Sequence, residues 1–401
     1  MAINRTVAAA VVFCLVGSSA LPVLAQRAPT SGPVARYDMR VGTVSGFGAM
    51  GRGLGGAMGM AFGGGGNKIQ HELLLRLGSS QVPGGKPKAD HFMPAGAKLG
   101  KSVALLTPTE ERGPADELPG QRAGQKPTGR ILIFWGCGEH APKGQPVVID
   151  LAKLSAGQMP PGLWSSTVLR DWGPTLQNSK TFGRWPAEDG KMVKPESSLL
   201  GNHRIAGNYS PEISFDLAQD FLAPLNTTAT PNASGSSLLS WNAVPNATGY
   251  LAFLFGGKMA QGGQMGDMVM WTSSASRQFG GGLSDWLTPA QVAGLVKDRT
   301  VMAPSTTSCT IPAEVHNAGA DFRMGTMTAF GPEADFSYPA RPANPKAPWN
   351  LEWTARVRYR STTSWMDMPG MPSQAEQQQA PKKCKPKGLG GLIGAAVGGG
   401  C

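Results

Sequence analysis

A short apolar pattern occurs twice in the chain and constrains its fold more than any other feature. Residues 128–136 read Thr-Gly-Arg, then Ile-Leu-Ile-Phe-Trp, then Gly, and residues 248–256 read Thr-Gly-Tyr, then Leu-Ala-Phe-Leu-Phe, then Gly. Each five-residue run is apolar at every position, which is typical of a strand covered on both faces. A Gly-rich loop and a second apolar run, 147–149 or 268–271, follow each copy. The pattern predicts a strand–loop–strand unit used twice, and hence two related β domains.

The length of the chain fits this prediction. Its 401 residues suffice for two domains with appendages, and 41% hydrophobic residues can fill two cores. The 55 Gly and 33 Pro favour low-complexity ends. We therefore predict a mainly β protein with two β-sandwich-like domains and flexible Gly-rich N- and C-terminal tails. The predicted segments are a signal peptide (1–25), a Gly-rich low-complexity arm (26–66), a β-sandwich-like domain (67–225), a second β domain (226–368), and a Pro/Gln/Lys linker with a Gly-rich tail (369–401).

The first 25 residues have the order of charge and hydrophobicity of a secretory signal peptide. Arg5 supplies a basic start, residues 6–16 are an apolar core, and Val-Leu-Ala at 23–25 forms a small-residue cleavage pattern before Gln26. This order predicts export to the periplasm, the cell surface or the medium.

Cysteine usage agrees with an exported protein. Cleavage removes Cys14 and leaves four cysteines, an even number that favours disulfides in an oxidising compartment and allows three connectivities. We predict Cys384–Cys401, because the two are close in sequence, and Cys137–Cys309, which would join the two folded regions.

Glycine spacing in the two tails leaves two interpretations open. Gly51, Gly55, Gly59 and Gly63 are four residues apart, a spacing that lets apolar helices approach closely. Glycine is a poor helix former in water, so the tract from 41 to 66 is either a flexible arm or an element for self-association or membrane contact. The tail at 388–398 repeats the spacing but is too short to cross a bilayer as a helix.

Local patterns predict individual elements. Thr288, Pro289 and Gln291 have the identities of an N-cap, an N1 and an N3 residue, so one short helix is expected near 289–298. Strands are expected at 72–77, 102–106, 213–217 and 349–360.

One stretch of the second region resembles a known family. Trp241, a Pro turn at Pro245 and Tyr250 are similar to the B-strand Trp and C-strand Tyr of fibronectin type III domains. The resemblance covers residues 237–256 only, and it implies an antiparallel β-sandwich. No Tyr follows Pro289, where the family places a conserved corner.

Cys137, Glu139 and His140 are the one place where a thiol, a carboxylate and an imidazole lie together in the sequence. Such a group holds a zinc ion or activates a thiolate in other proteins. However, no further ligand lies at a suitable spacing, and the second copy of the pattern lacks all three residues. A β-turn that carries a disulfide cysteine is the alternative.

The strand at 349–360 carries Arg356, Arg358 and Arg360 on one face, about 7 Å apart by strand geometry. Three guanidinium groups in a row suit phosphates or acidic glycans. The alternative is a solvated face that is paired with acidic side chains of a neighbouring strand.

The leading hypothesis is an exported, non-catalytic binding or structural protein of the cell envelope or extracellular space. The partner would be an envelope or extracellular protein, or an acidic glycan or lipid surface, and membrane contact would come through the Gly-rich tails. Two alternatives remain: an exported metal-dependent or Cys-based enzyme centred on Cys137, Glu139 and His140, and a polyanion- or glycan-binding module built on the Arg row. No cofactor is expected, and the net charge of +11 is too diffuse to predict nucleic-acid binding.

Overall fold

The computed structural model describes residues 32–50, 68–108, 129–155, 158, 169, 171, 173–187, 192–259, 265–280, 282–344 and 346–367. The predicted signal peptide, the four evenly spaced glycines and the pair Cys384–Cys401 lie outside these residues.

The described residues are mainly β, as predicted. Their strands are β1 (Ala35–Gly46), β2 (Ile69–Ser79), β3 (Ala89–Phe92), β4 (Ser102–Ala104), β5 (Arg130–Trp135), β6 (Val147–Asp150), β7 (Thr181–Trp185), β8 (Met192–Val193), β9 (Gly201–Gly207), β10 (Ile213–Leu217), β11 (Thr227–Pro231), β12 (Ser237–Trp241), β13 (Gly249–Met259), β14 (Met265–Thr272), β15 (Ser308–Ile311), β16 (Phe322–Tyr338) and β17 (Trp353–Asp367). The α-helices are α1 (Leu151–Ser155), α2 (Pro289–Lys297) and α3 (Ala313–Asn317), and two 3-10 helices span Phe47–Met50 and Ala95–Ala97. No helix in these ranges is long and apolar enough to cross a membrane.

The strands form one large sheet and two small ones. The large sheet has the order β6-β5-β14-β13-β16-β17-β1-β2-β7, with β8 added beside β2. The small sheets have the orders β10-β9-β3-β4 and β11-β12-β15. Both small sheets pack on the same face of the large one, since residues of all three share one apolar core, among them Tyr37, Ile205, Phe215, Trp241 and Tyr250.

Both copies of the repeated sequence pattern form the predicted strand–loop–strand unit. β5 pairs with β6, and β13 pairs with β14, each in antiparallel fashion. The two units are neighbours, because β14 also pairs in parallel with β5. Strands from 67–225 thus share a sheet with strands from 226–368, and the two-domain arrangement is not confirmed.

The strand β1 corrects the predicted flexible arm at 26–66. It lies inside the large sheet, parallel to β17 on one side and antiparallel to β2 on the other. Tyr37, Met39 and Val41 are buried on its core face. The prediction gave too much weight to glycine density from residue 41 onward and missed this alternation of apolar side chains.

The predicted helix near 289–298 is confirmed as α2. The hydroxyl of Thr288 accepts from the amide of Gln291 at 3.2 Å, and the Gln291 side chain accepts from the Thr288 amide at 2.9 Å, which completes a capping box. The helix packs Val292 and Leu295 on the second face of the large sheet. The short helices α1 and α3 were not predicted.

Candidate functional site

The Cys137 turn is a covalent junction between two sheets. Cys137, which follows β5, and Cys309 in β15 form the predicted disulfide, with 2.08 Å between their sulfur atoms and 5.2 Å between their Cα atoms. The Gly138 amide donates to the Thr310 carbonyl oxygen at 2.9 Å and continues the attachment. The loop after β5 is therefore held on the three-stranded sheet, and this sulfur is not a free thiol.

Glu139 and His140 do not converge on the sulfur. The Glu139 carbonyl oxygen accepts from the Ala313 amide at 3.0 Å. His140 is 69% exposed, and its Nδ1 lies 3.1 Å from Glu314 Oε1 on α3. The amide of Ala141 donates to Glu314 Oε2 at 2.8 Å and, with His140, holds the pKa of that carboxyl below its usual value. The Glu139 carbonyl oxygen, the His140 ring and the Ala141 amide thus fasten the loop to α3.

Metal binding has little support at this turn. Among the residues that the structure describes, no group of three His, Cys, Asp or Glu side chains is arranged to hold a metal ion. The Cys137 sulfur would have to leave its disulfide before it could bind one.

The predicted Arg row lies on the second face of the large sheet, in a layer of charged side chains that come from β1, β2, β16 and β17 and, at Asp171, from outside the strands. We call this set the ionic layer: Asp38, Arg40, Glu72, Arg76, Asp171, Glu333, Arg356, Arg358 and Arg360. The expectation that this face of β17 is solvated is wrong at Arg358, which is only 2% exposed. Trp286 covers one side of the layer, and Asp171 covers another.

Asp38 is the centre of the ionic layer. Its carboxylate, 1% exposed, accepts from Arg358 Nη2 at 2.8 Å and from Arg40 Nε at 2.9 Å, with Arg356 Nε at 3.4 Å. Burial raises the pKa of Asp38, but the surrounding guanidinium groups lower it by more, so the pKa lies below its usual value. Asp38 is therefore ionised, and it balances cations that are themselves buried.

Asp171 closes the layer from outside. Its carboxylate pairs with Arg40, accepts from Arg358 Nη2 at 3.2 Å and accepts from the Gly173 amide at 3.1 Å. Burial raises the pKa of Asp171, yet Arg40 and Arg358 lower it further and hold it well below its usual range. With its side chain 27% exposed, Asp171 is one of the members through which the layer reaches solvent, together with Arg76 at 26% and Arg356 at 24%.

Glu333 and Arg360 complete the layer at its two ends. Glu333 Oε2 lies 3.7 Å from Arg356 Nε and 4.0 Å from Arg358 Nε, and burial raises the pKa of Glu333. The Arg360 guanidinium stacks 4.0 Å above the Trp286 ring and donates to a Glu72 oxygen at 2.9 Å. The Arg row is thus committed to internal ion pairs, which matches the acidic-neighbour alternative.

A second set of buried polar side chains, a chain of hydrogen bonds through one tyrosine and two histidines, joins the large sheet to the four-stranded one. Tyr37 Oη lies 2.6 Å from His91 Nδ1, His91 Nε2 lies 2.9 Å from His203 Nδ1, and His203 Nε2 lies 2.7 Å from the Leu199 carbonyl oxygen. Because that oxygen only accepts, His203 donates through Nε2, His91 donates to His203, and Tyr37 donates to His91. This order assigns the tautomers of both histidines, and every member of the chain is uncharged.

Burial keeps the chain neutral. It lowers the pKa of His203, and it lowers the pKa of His91 well below its usual value. The sequence showed no pattern that pairs these histidines, because they are 112 residues apart on different strands. With every ring nitrogen bonded, the chain is a fully satisfied core network.

Comparison of the chain with protein-family models, with curated proteins and with solved structures gave no match.

Proposed function

We propose that the protein is an exported, non-catalytic binding or structural component of the cell envelope or extracellular space. The Cys137–Cys309 disulfide carries this proposal. It joins the large sheet to the three-stranded sheet across 172 residues. Structural disulfides form and persist in oxidising compartments and are rare in the cytosol, where thiols are kept reduced.

The strand order of the second region supports a cell-surface role. The three-stranded sheet β11-β12-β15 faces a large sheet that contains the consecutive strands β14-β13-β16-β17. Trp241 and Tyr250 pack 5.7 Å apart between these layers, and the Tyr250 hydroxyl accepts from the Val244 amide at 2.9 Å. This arrangement supports a fibronectin type III-like sandwich in 226–368, an architecture that many cell-surface domains share.

The non-catalytic part of the proposal rests on how the reactive side chains are used. The Cys137 sulfur is in a disulfide, and His140 is paired with Glu314. Arg358 is bonded to Asp38, Asp171 and the Trp286 carbonyl oxygen. These groups hold loops and strands together, which is the expected use in a scaffold that presents a surface.

Fractionation of the producing cell tests the proposal. Cells are treated with a thiol-blocking reagent before lysis, and the protein is digested without reduction. We expect it in the envelope or the medium, with the peptides of Cys137 and Cys309 cross-linked and the pair absent in Cys137→Ser. Recovery in the cytosol with both thiols blocked overturns export. Hydrolysis of any substrate in a broad panel, lost in Cys137→Ser or His140→Gln, overturns the non-catalytic part.

A further inference from the structure

An open cleft of about 460 Å³ lies at one end of the large sheet, where β1 begins and β2 ends. Its volume is within the usual range of small-molecule sites. The walls come from residues 33–36 and 78–80 and from the loop at 177–180. A second cleft of about 290 Å³ adjoins it and shares Ser179 and Lys180 with it.

The cleft is preformed, because backbone hydrogen bonds fix each of its walls. The Ser80 amide donates to the Val34 carbonyl oxygen at 2.9 Å, and the Lys180 amide donates to the Ser79 carbonyl oxygen at 2.9 Å. Gly78 permits this close approach, since a Cβ there would lie 2.2 Å from Ser179 Oγ. The backbone of the walls is therefore held in place before any ligand arrives.

The charge of the cleft is positive. Arg36 and Lys180 line it, and none of the described residues that line it is Asp or Glu. Arg36 Nη2 donates to the carbonyl and side-chain oxygens of Asn178, at 2.9 and 2.8 Å. These bonds orient the guanidinium without neutralising it, and no described carboxylate forms an ion pair with it. An oriented guanidinium beside an exposed ammonium is suited to a carboxylate or sulfate.

The remaining lining groups indicate what carries the anion. Hydroxyls and amides surround the two cations, from Ser79, Ser80, Gln177, Asn178 and Ser179. The adjoining cleft presents an apolar wall from Val82, Pro83 and Pro87. Hydroxyl-binding groups, an apolar wall, an oriented guanidinium and a nearby ammonium together match a sugar ring that bears an acidic substituent.

We propose that these joined clefts bind an acidic saccharide, a ligand class that follows from the proposed function because an envelope or extracellular protein encounters such glycans. The anionic group lies between Arg36 and Lys180. The hydroxyls of the ring contact the serine and amide groups, and the apolar face of a sugar packs on the proline wall.

Isothermal titration calorimetry of the full mature chain tests the proposal. The probes are a sulfated, uronic acid-containing disaccharide derived from heparin, the neutral disaccharide maltose, and inorganic sulfate. We expect the acidic disaccharide to bind at least tenfold more tightly than either of the others, with an affinity that falls as NaCl is raised.

Three variants locate the site. Lys180→Gln removes one charge-assisted bond and should weaken binding by about tenfold. Ser80→Glu places a carboxylate in the cleft and should abolish binding. Lys143→Gln removes an exposed lysine from the loop between β5 and β6 and should leave the affinity unchanged. Far-UV circular dichroism and the melting temperature verify that each variant is folded.

Two results overturn the proposal. One is no measurable binding of the acidic disaccharide at millimolar concentration, or binding no tighter than that of sulfate or maltose. The other is an affinity of Lys180→Gln for the acidic disaccharide that equals the affinity of Lys143→Gln. Either result leaves the proposed function intact if fractionation still places the disulfide-bonded protein in the envelope or the medium.

Discussion

Replacement of the Asp38 carboxylate should be one of the most costly conservative substitutions in this protein. Asp38→Asn keeps the shape of the side chain and removes its charge. Arg40 and Arg358, 5% and 2% exposed, then lose a carboxylate at 2.9 and 2.8 Å. Asp171 still contacts both guanidinium groups, but it is partly exposed, and Glu333 lies 4.0 Å from Arg358 Nε, too far for a hydrogen bond.

The expected cost follows from burial. Removal of one partner of a buried ion pair leaves an uncompensated charge and destabilises by about 3–5 kcal/mol. Glu212→Gln is the matched control, because it breaks the pair of Glu212 with Arg204, whose side chains are 58% and 39% exposed. An exposed pair contributes only about 0–1 kcal/mol.

Urea unfolding of the mature chain with its disulfide intact, followed by tryptophan fluorescence, measures both variants. A double-mutant cycle with Arg358→Met isolates the interaction, and we expect the double variant to be more stable than the summed single effects by about 2 kcal/mol. Because the folded pKa of Asp38 is lowered, its contribution to the unfolding free energy is present above about pH 4 and is lost as the pH falls. The wild type should show this loss, and Asp38→Asn should lack it. The reasoning is refuted if Asp38→Asn loses no more unfolding free energy than Glu212→Gln, or if the effects of Asp38→Asn and Arg358→Met add up in the double variant.

Three further predictions concern the pH profile, the disulfide and the packing of the sheet. Burial lowers the folded pKa values of His91 and His203. As the pH is lowered past about 6.5, the unfolding free energy should therefore decrease, by up to about 1.4 kcal/mol per pH unit for each histidine. A urea midpoint that is constant from pH 7 to 5.5 contradicts this. The double variant Cys137→Ser, Cys309→Ser removes a crosslink between residues 172 apart in sequence and should lower the unfolding free energy by about 2–5 kcal/mol. Reduction of the wild-type disulfide should give the same loss in the same unfolding assay. Gly325→Ala places a Cβ 2.0 Å from the indole ring opposite it on β17, and a loss of at least about 1–3 kcal/mol is expected; a melting temperature equal to that of the wild type would exclude this close contact.

Sequence patterns predicted the features that depend on neighbouring residues. The Thr288 cap located α2, and alternation located β10 at its observed bounds, Ile213–Leu217. The disulfide was also predictable, since few cysteine pairings were available. Each of these features is encoded within a few residues or by a small number of alternatives.

Features that depend on distant pairing were not predictable in the same way. The contact of Asp38 with Arg358 joins residues 320 apart, and His91 and His203 are 112 apart. The three arginines therefore resembled a solvated row, because nothing near them in sequence reveals Trp286 or Asp171 above them. The parallel pairing of β1 with β17 also could not be inferred from alternation, which shows a face but not a neighbour.

The position of the ionic layer suggests why charges are retained inside this sheet. Asp38 and Arg40 alternate with Tyr37 and Met39 along β1, whose register against β17 must be found across more than 300 residues. A slip of one residue would turn the charged side chains of β1 into the apolar core and expose its apolar ones. Hydrophobic alternation alone still permits a slip of two residues. In one direction such a slip moves Asp38 away from Arg358, and in the other it separates Arg360 from Glu72, because both of these residues lie beside Gly42 in the observed register. The buried ion pairs therefore specify which even-numbered register is adopted. Their main contribution is to the uniqueness of the β1–β17 pairing, since a buried ion pair adds little net stability over apolar side chains of the same size.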